Sequence, residues 1–570
     1  MTVDRSVSRA VIAAAVVAGL IILLSVLGGA LLFSPVPFWD MWDGMVGFYL
    51  SILDGDLSAL WAQHNEHRLV LTRLLFLADL ELFDGRAGPL IVVNYLLAGT
   101  GALVFWRLLR ESSAAEEGRA NAALVLRLAV LASLFLWCQQ ENLASAFQSQ
   151  FFLAQLLPLA ALLCLRRAAG PGREGAWFAA ACLLGVLSLG SMANGVLALP
   201  LLAALAWLLG LGRARVAVLL LLSALGAGLY LHGYAAHPGH GSLTYELAHH
   251  PLGIAAYLLL YFGSPVDYLV GGGTAAHVAS ALAGLACALL SVCAALRIAP
   301  GRRATTLALL AFLAYLAVSA LATAGGRLLL GLNQALSSRY TTPVLMAWAS
   351  LAVLYAPALV RWLDRAQLPM RVTCSLLAGA ALLLQVQALG PPTDVLLERK
   401  VALLALALQT QDEGTISKIY PDTWRAMKLT REATARELAP FGQYPWRDLS
   451  GRIGAGYGTP EATACRGSLD PLPAANPARR LVRVNGWLDA DALGSEPGLV
   501  VLLSRDGRIA GYAMAEDTLG GLAAGLVFEH DGRRHFAGYL SRDQAPDGAV
   551  TIVAERPSCR PAFGNAQASR

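Results

Sequence analysis

From residue 10 to about residue 390 the chain alternates long apolar runs with short polar connections, and beyond that it reads as water-exposed protein. A bilayer core about 30 Å thick takes roughly 20 apolar residues of helix. Runs of that kind fall at 10–33, 89–110, 122–138, 151–165, 176–190, 195–211, 214–232, 274–296, 304–324, 341–360 and 371–390. Arginine placement orients them, because basic residues in short loops stay on the cytoplasmic side. Arg5 and Arg9 precede the first run, and Arg107, Arg110 and Arg119 follow the second. Arg166, Arg167 and Arg173, then Arg213 and Arg215, then Arg297, Arg302 and Arg303, then Arg361, Arg365 and Arg371 mark every second connection thereafter. The pattern predicts about eleven spans, with the N-terminus inside and the C-terminus outside.

Two apolar stretches do not fit as spans. Residues 69–83 carry Arg73, Asp79 and Glu81, and Arg or Asp at a bilayer centre costs roughly 2.5–3.5 kcal/mol each. A helix lying in the outer interface is expected there. Residues 252–270 are interrupted by Gly263, Pro265 and Asp267, and counting them would invert the basic loop that follows, so an interfacial or re-entrant segment is expected. The first run is longer than a signal-peptide core and lacks a small-residue cleavage site, which favours an uncleaved anchor.

After residue 390 the hydropathy drops. Residues 395–440 show a helical, amphipathic pattern, and from Arg479 the period changes to that of strands: 481–490, 499–503, 509–515, 526–530, 535–540 and 550–554. Asp506-Gly507, Asp531-Gly532 and Asp547-Gly548 supply turns of the kind that connects antiparallel strands. The expected architecture is a polytopic α-helical bundle (1–390), a helical connecting region (391–478) and a C-terminal, extracytoplasmic antiparallel β-sandwich-like domain (479–570). Aromatics such as Trp487, Tyr512 and Tyr539 there suit either a glycan surface or the core.

Composition sharpens this. Only 14% of the 570 residues are charged, against about 25% in ordinary soluble domains. That excludes a soluble enzyme, a disordered tail protein and a disulfide-rich secreted scaffold. The net charge of +5 sits mostly in loop arginines that insertion explains, so no nucleic-acid partner is implied. Six cysteines fall in or beside the apolar runs, while Cys465 and Cys559 lie in the outer part, where a disulfide is permitted.

Candidate chemistry collects on the outer connections. The first reads Pro-Phe-Trp-Asp-Met-Trp-Asp-Gly from Pro37 to Gly44, then His64-Asn65-Glu66-His67-Arg68. Asp40 and Asp43 are three apart, so a helical turn puts both carboxylates on one face. Their repulsion would raise one pKa toward the range of a general base. Trp39 and Trp42 suit an interface belt or a platform for a sugar ring. Alternatively Asp40 caps a short helix that the tryptophans anchor. No cofactor is required by the sequence. A divalent metal would need His64 and His67 with Asp40 or Asp43, a weak ligand set, and bonding to substrate or ordering the loop explains the histidines as well.

The second outer connection carries Gln139, Gln140, Glu141 and Asn142, then Phe147-Gln148-Ser149-Gln150-Phe151. Amides beside aromatics pair well with sugar hydroxyls, and equally tie helix ends together. Asn194 sits in an Asn-Gly turn. The 232–250 stretch holds His237, His240, His249 and His250 with Tyr234 and Tyr245, suited to a mobile cover or a plain exposed loop. The last outer loop holds Arg327, Arg339 and Tyr340. Outer arginines run against the topological bias, and a guanidinium suits phosphate; a salt bridge to Asp40, Asp43 or Glu66 is the alternative. No GxxxxGK[ST] occurs, and no GxGxxG joins a strand to a helix.

These residues resemble the GT-C type of integral membrane glycosyltransferase of bacteria: an acidic motif just after the first span, interfacial helices in a long first outer loop, then many spans over residues 10–390. The outer β-domain is similar in placement to that of cell-wall arabinosyltransferases. The resemblance implies a polyprenyl-phosphate-linked sugar donor and a glycan, lipid or protein acceptor of the cell envelope. It places the protein among membrane lipids of the cytoplasmic membrane. Asp40 or Asp43 would be the base, the second carboxylate would ease positive charge at the sugar ring, and Arg327 or Arg339 would stabilise the departing phosphate. Trp42, His64, Glu66, His67, Arg68, Gln140, Glu141, Asn142, Gln148 and Tyr340 would line the substrate. A lipid-linked saccharide flippase would need polar residues through the membrane's depth, and a non-catalytic envelope assembly protein would not need the acid, histidine and arginine sets on one face.

Overall fold

Hydropathy alone locates most of the helices. The structure is a computed structural model that describes residues 8–236, 239, 241–298, 300–365, 367–390, 393–457, 463–470, 480–489, 498–516, 533–546, 550–555 and 558–561. Among these described residues nine helices are long and apolar enough to cross a membrane, from Arg9–Leu31 onward. A tenth candidate is the pair Ser338–Leu354 and Ala356–Asp364, bent by 75°. Two stretches expected as spans form the shorter apolar helices Glu174–Ser188 and Ala193–Leu208. The charged stretch at 69–83 forms the helix Val70–Leu82, whose 13 residues extend only about 20 Å.

The chain divides into two compact units, one of Met1–Ala30, Ser58–Leu75 and Gly88–Ala388, the other of Leu31–Leu57, Phe76–Ala87 and Leu389–Arg570. This differs from a linear division at 390 and 479. The helical connecting region and the strands share one unit, which also takes in Leu31–Leu57 and Phe76–Ala87.

In the first unit, one end gathers the basic connections with their acids: Arg119 and Arg361 both meet the buried Glu116, at 2.7 and 2.5 Å, and Arg166 meets Glu111 at 3.0 Å. The stretch expected to be broken at Gly263, Pro265 and Asp267 is instead one continuous helix, Pro251–Val270. Gly263 has a packing role there. A Cβ at Gly263 would lie 1.7 Å from the Ser280 carbonyl oxygen, and one at Gly284 would lie 2.0 Å from that of Leu259. The helix therefore meets Gly273–Leu296 backbone to backbone, as small residues allow between apolar helices. Asp267 faces His277 at 3.7 Å. The segment 328–336 runs alongside the same helix, with Leu328 against Gly253 and the Leu336 carbonyl accepting from Tyr268.

In the second unit the strands are β1 (Thr463–Cys465), β2 (Gly467–Leu469), β3 (Leu481–Asp489), β4 (Leu499–Leu503), β5 (Ile509–Ala515), β6 (Arg533–Ser541), β7 (Thr551–Glu555) and β8 (Ser558–Pro561). A two-sheet sandwich was expected. The described strands form one sheet, ordered β1-β8-β7-β4-β5-β6-β3-β2, curled into a half-barrel and antiparallel except at β1–β8. Side chains alternate across it: Leu499, Val501 and Leu503 enter the core shared with Val401, Leu404 and Trp42, while Val500 and Leu502 join Val484, Phe536 and Leu540 on the other face. Tyr512 and Tyr539 are core residues, and Trp487 lies under the Arg533 guanidinium at 4.4 Å. The expected strand at 526–530, the turns at 531–532 and 547–548, and the Cys465 and Cys559 side chains lie outside the described residues.

A polar network ties this sheet to the helices. Asp412 caps Glu413–Ile416 and accepts from Thr415 Oγ1 at 2.9 Å and from the Tyr539 hydroxyl at 2.7 Å. Arg483 donates to Thr415 and to Glu398. Burial alone would raise the Asp412 carboxyl, but the bonds from Tyr539 and Thr415 and the Arg483 charge hold it below its ordinary range. Such a group contributes stability in full above the unfolded value, about 3.9, and loses it as pH falls through the folded-state value. Tyr539→Phe removes a hydrogen bond to a charged group, so unfolding should become easier by about 1.5–3 kcal/mol at pH 7. Denaturant melts across pH should show that difference shrinking below about pH 4; a pH-independent difference would contradict this account.

Candidate functional site

In the first unit the residues 64–68 fold as a tight hairpin. His64 and His67 exchange backbone hydrogen bonds of 2.8 Å, and Asn65 takes φ +49° at the turn, a conformation Asn tolerates better than most residues. The hairpin is anchored by Arg68. Its Nη1 donates to the Trp61 carbonyl at 2.7 Å, its Nε to that of Tyr230 at 2.9 Å and its Nη2 to that of His232 at 2.7 Å. The guanidinium also lies over the Trp61 and Tyr230 rings, and the residue is 5% exposed. Arg68, expected to line the substrate, is spent on backbone carbonyls and holds the hairpin in place.

The hairpin presents Glu66 and His67 to other connecting segments. The Ala193 N–H donates to His67 Nδ1 at 3.2 Å, which leaves the ring proton on Nε2, 3.7 Å from Glu66 Oε1. Arg327 Nη2 reaches the same Glu66 oxygen at 3.4 Å. A second pair, Arg339 with Glu141 at 3.6 Å, stands nearby, and Gln148 Nε2 donates to Glu141 at 3.4 Å. Tyr340 lies within electrostatic reach of all four charges, Arg339, Arg327, Glu66 and Glu141. Three connecting segments thus bring Glu66, His67, Glu141, Gln148, Arg327, Arg339 and Tyr340 together.

Other expected contacts have structural employment. Asn142 is fully buried and donates to the Arg339 carbonyl and to Thr342 Oγ1, both at 2.8 Å, so it braces the arginine's backbone. Gln140 opens the short helix Gln140–Ala144 and is half-buried. The His64 ring packs on Phe147 with centroids 5.4 Å apart. Asn194 donates to Ser319 at 3.3 Å. Of the 232–250 histidines, His250 pairs with Glu246 at 2.8 Å and His249 stacks on Tyr245, while His237 and His240 lie outside the described residues. Among the described residues no group of three or more His, Cys, Asp or Glu is placed to hold a metal ion.

Asp40 and Asp43 belong to the second unit. The backbone around them is unusual: Trp39 has φ +49°, and Trp42–Gly47 is a π-helix, a form found frequently at functional sites. Asp43 Oδ1 accepts from Arg425 Nε at 2.9 Å, and Oδ2 accepts from the Tyr420 hydroxyl. Burial and the Asp43 charge push that phenol well above its ordinary value. Asp40 is half-buried. Trp42 is 0% exposed, packed against Tyr420 and Phe441, and so presents no open face for a sugar; Trp39, 51% exposed, does.

Sequence reasoning did not find Tyr420 and Arg425, which orient Asp43 from nearly 400 residues away in the chain. Nor did it assign a role to Ser338, which donates to the Cys138 carbonyl and accepts from the Glu141 N–H. No local pattern marks these residues, because their roles exist only after folding. Arg68→Met should remove three hydrogen bonds from a charged donor and leave the buried Tyr230 carbonyl without its guanidinium partner, at about 1–3 kcal/mol, and so lower the thermal midpoint of the detergent-solubilised chain. An Arg68→Met protein as stable as wild type would refute the anchoring role.

Comparison with protein-family models, with curated proteins and with solved structures finds no match to this chain.

Proposed function

We propose that the chain is an inverting glycosyltransferase of the GT-C type. It would move a sugar from a polyprenyl phosphate to a hydroxyl of a cell-envelope glycan, lipid or protein at the outer face of the bacterial cytoplasmic membrane. The observation that carries the reading is the pair of arginines. Arg327 and Arg339 meet their carboxylates at 3.4 and 3.6 Å, longer than the 2.7–2.9 Å of a strong charge-assisted bond. A guanidinium presents several donors in a fork that suits phosphate, and both arginines stand at the ends of apolar helices, where a lipid headgroup would lie.

The chemistry follows from the donor. The acceptor oxygen attacks the anomeric carbon as the bond from that carbon to the phosphate oxygen breaks. The acceptor proton passes to a carboxylate, and the lipid phosphate leaves with the bonding pair. Arg425 and Tyr420 engage both oxygens of Asp43, which holds its carboxylate in one orientation as a fixed negative charge. Asp40, the other carboxylate of the pair, is assigned as the base. Arg327 and Arg339 offset the charge that grows on the leaving phosphate.

In a purified transfer assay with a polyprenyl-phosphate sugar, Asp40→Asn should lower kcat by about 100-fold or more with donor binding preserved. Full activity in Asp40→Asn would remove the base assignment. Arg339→Ala should weaken donor binding by at least about tenfold, since hydrogen bonds to charged groups contribute about 1.5–3 kcal/mol; unchanged donor affinity would count against the phosphate role.

A further inference from the structure

The Pro251–Val270 helix holds one polar group near the arginines that the preceding chemistry does not use. Tyr257 and Tyr261 are four apart and so share one helix face. Both are enclosed with Ala320, Ala324, Tyr340 and Val344, and the Tyr261 ring lies 5.5 Å from that of Tyr340. Tyr257 is 0% exposed, and its hydroxyl has no hydrogen-bond partner among the described residues. A buried hydroxyl left unpaired is destabilising, which calls for an explanation.

The surroundings supply one. Arg327 and Arg339 are both close enough to act electrostatically on the Tyr257 hydroxyl, yet a guanidinium is a donor only and cannot take its proton. Three donor groups of separate origin therefore share a region, and one of them has nothing to donate to. The group that completes such a set is an anion with several acceptor oxygens. Beside it, Gln148 is bonded through its amide nitrogen to Glu141 while its Oε1 is buried without a partner. That oxygen would accept from a hydroxyl carried next to the anion.

We infer that the Tyr257 hydroxyl, together with Arg327 and Arg339, binds a phosphate group, donating to one of its non-bridging oxygens. The inference rests on the glycosyltransferase reading and adds to it a binding residue inside an apolar helix. It distinguishes a phosphate from a carboxylate ligand by the number of donors to be filled.

The test uses the full-length protein in lipid nanodiscs, with farnesyl phosphate, farnesol and inorganic phosphate as probes and calorimetry as the readout. Wild type should bind farnesyl phosphate and not farnesol. Tyr257→Phe keeps the ring and should weaken that binding about tenfold or more, as should Arg339→Ala. Equal binding of inorganic phosphate, with the same dependence on Tyr257, would support the site and make the free ion its ligand. Wild-type affinity in Tyr257→Phe alongside a weakened Arg339→Ala would overturn the Tyr257 assignment and leave the glycosyltransferase reading standing. No binding of either phosphate by wild type would overturn both. Should Tyr257→Phe fail to fold, fluorotyrosine placed at 257 gives a second readout. Its fluorine resonance should move on addition of farnesyl phosphate and not of farnesol, and an unmoved resonance would overturn the assignment.

Discussion

The guanidinium of Arg68, bound to three backbone carbonyls, is the interaction on which the polar cluster of the first unit depends. A charge that is 5% exposed is stable only when its donors are met. Meeting them with carbonyls of residues 61, 230 and 232 fixes where the 64–68 hairpin sits. Glu66 then faces Arg327, and His67 receives the Ala193 N–H. Asn142 does comparable work on the far side, bracing the backbone at Arg339. Buried polar groups thus hold the scaffold, and the charges they position, Glu66, Glu141, Arg327 and Arg339, remain partly exposed.

The second unit treats its carboxylates differently. Asp43 is oriented by Arg425 and Tyr420 on a π-helix, with the indole of Trp42 sealed beneath it. Asp412 ties the sheet to the helices through Tyr539 and Thr415. Both are acids held by donors from distant parts of the chain. Both side chains are half-buried; the Asp412 network joins the sheet to the helices, whereas the Asp43 network joins the π-helix to Tyr420 and Arg425.

Much of the architecture was legible in hydropathy and turn residues. The strands 499–503 and 509–515 appear as expected, and Leu481–Asp489 is a strand where one was expected over 481–490, because alternation and Asp-Gly turns are local signals. What escaped was whatever depends on distant partners. Gly263 and Pro265 look like helix breakers, yet Gly263 permits a backbone contact that no side chain would allow. Trp42 looks like a belt or platform residue but completes the core of a unit made largely from residues after 389. At the site, the charges themselves were readable because insertion does not require them; which were anchors and which were presented was not. Arg68 and Arg339 are identical in sequence terms and differ only in the carbonyls that surround one of them. Tyr257 was hidden because a tyrosine in an apolar run reads as core, and only its unpartnered hydroxyl sets it apart.

The most direct test of phosphate recognition at the first unit is an experimental structure of the full chain with farnesyl phosphate bound. The account predicts the phosphorus between the Arg327 and Arg339 guanidinium groups, with the carboxylates of Glu66 and Glu141 moved away from them. A headgroup bound elsewhere, with both arginine–carboxylate pairs still closed, would contradict it.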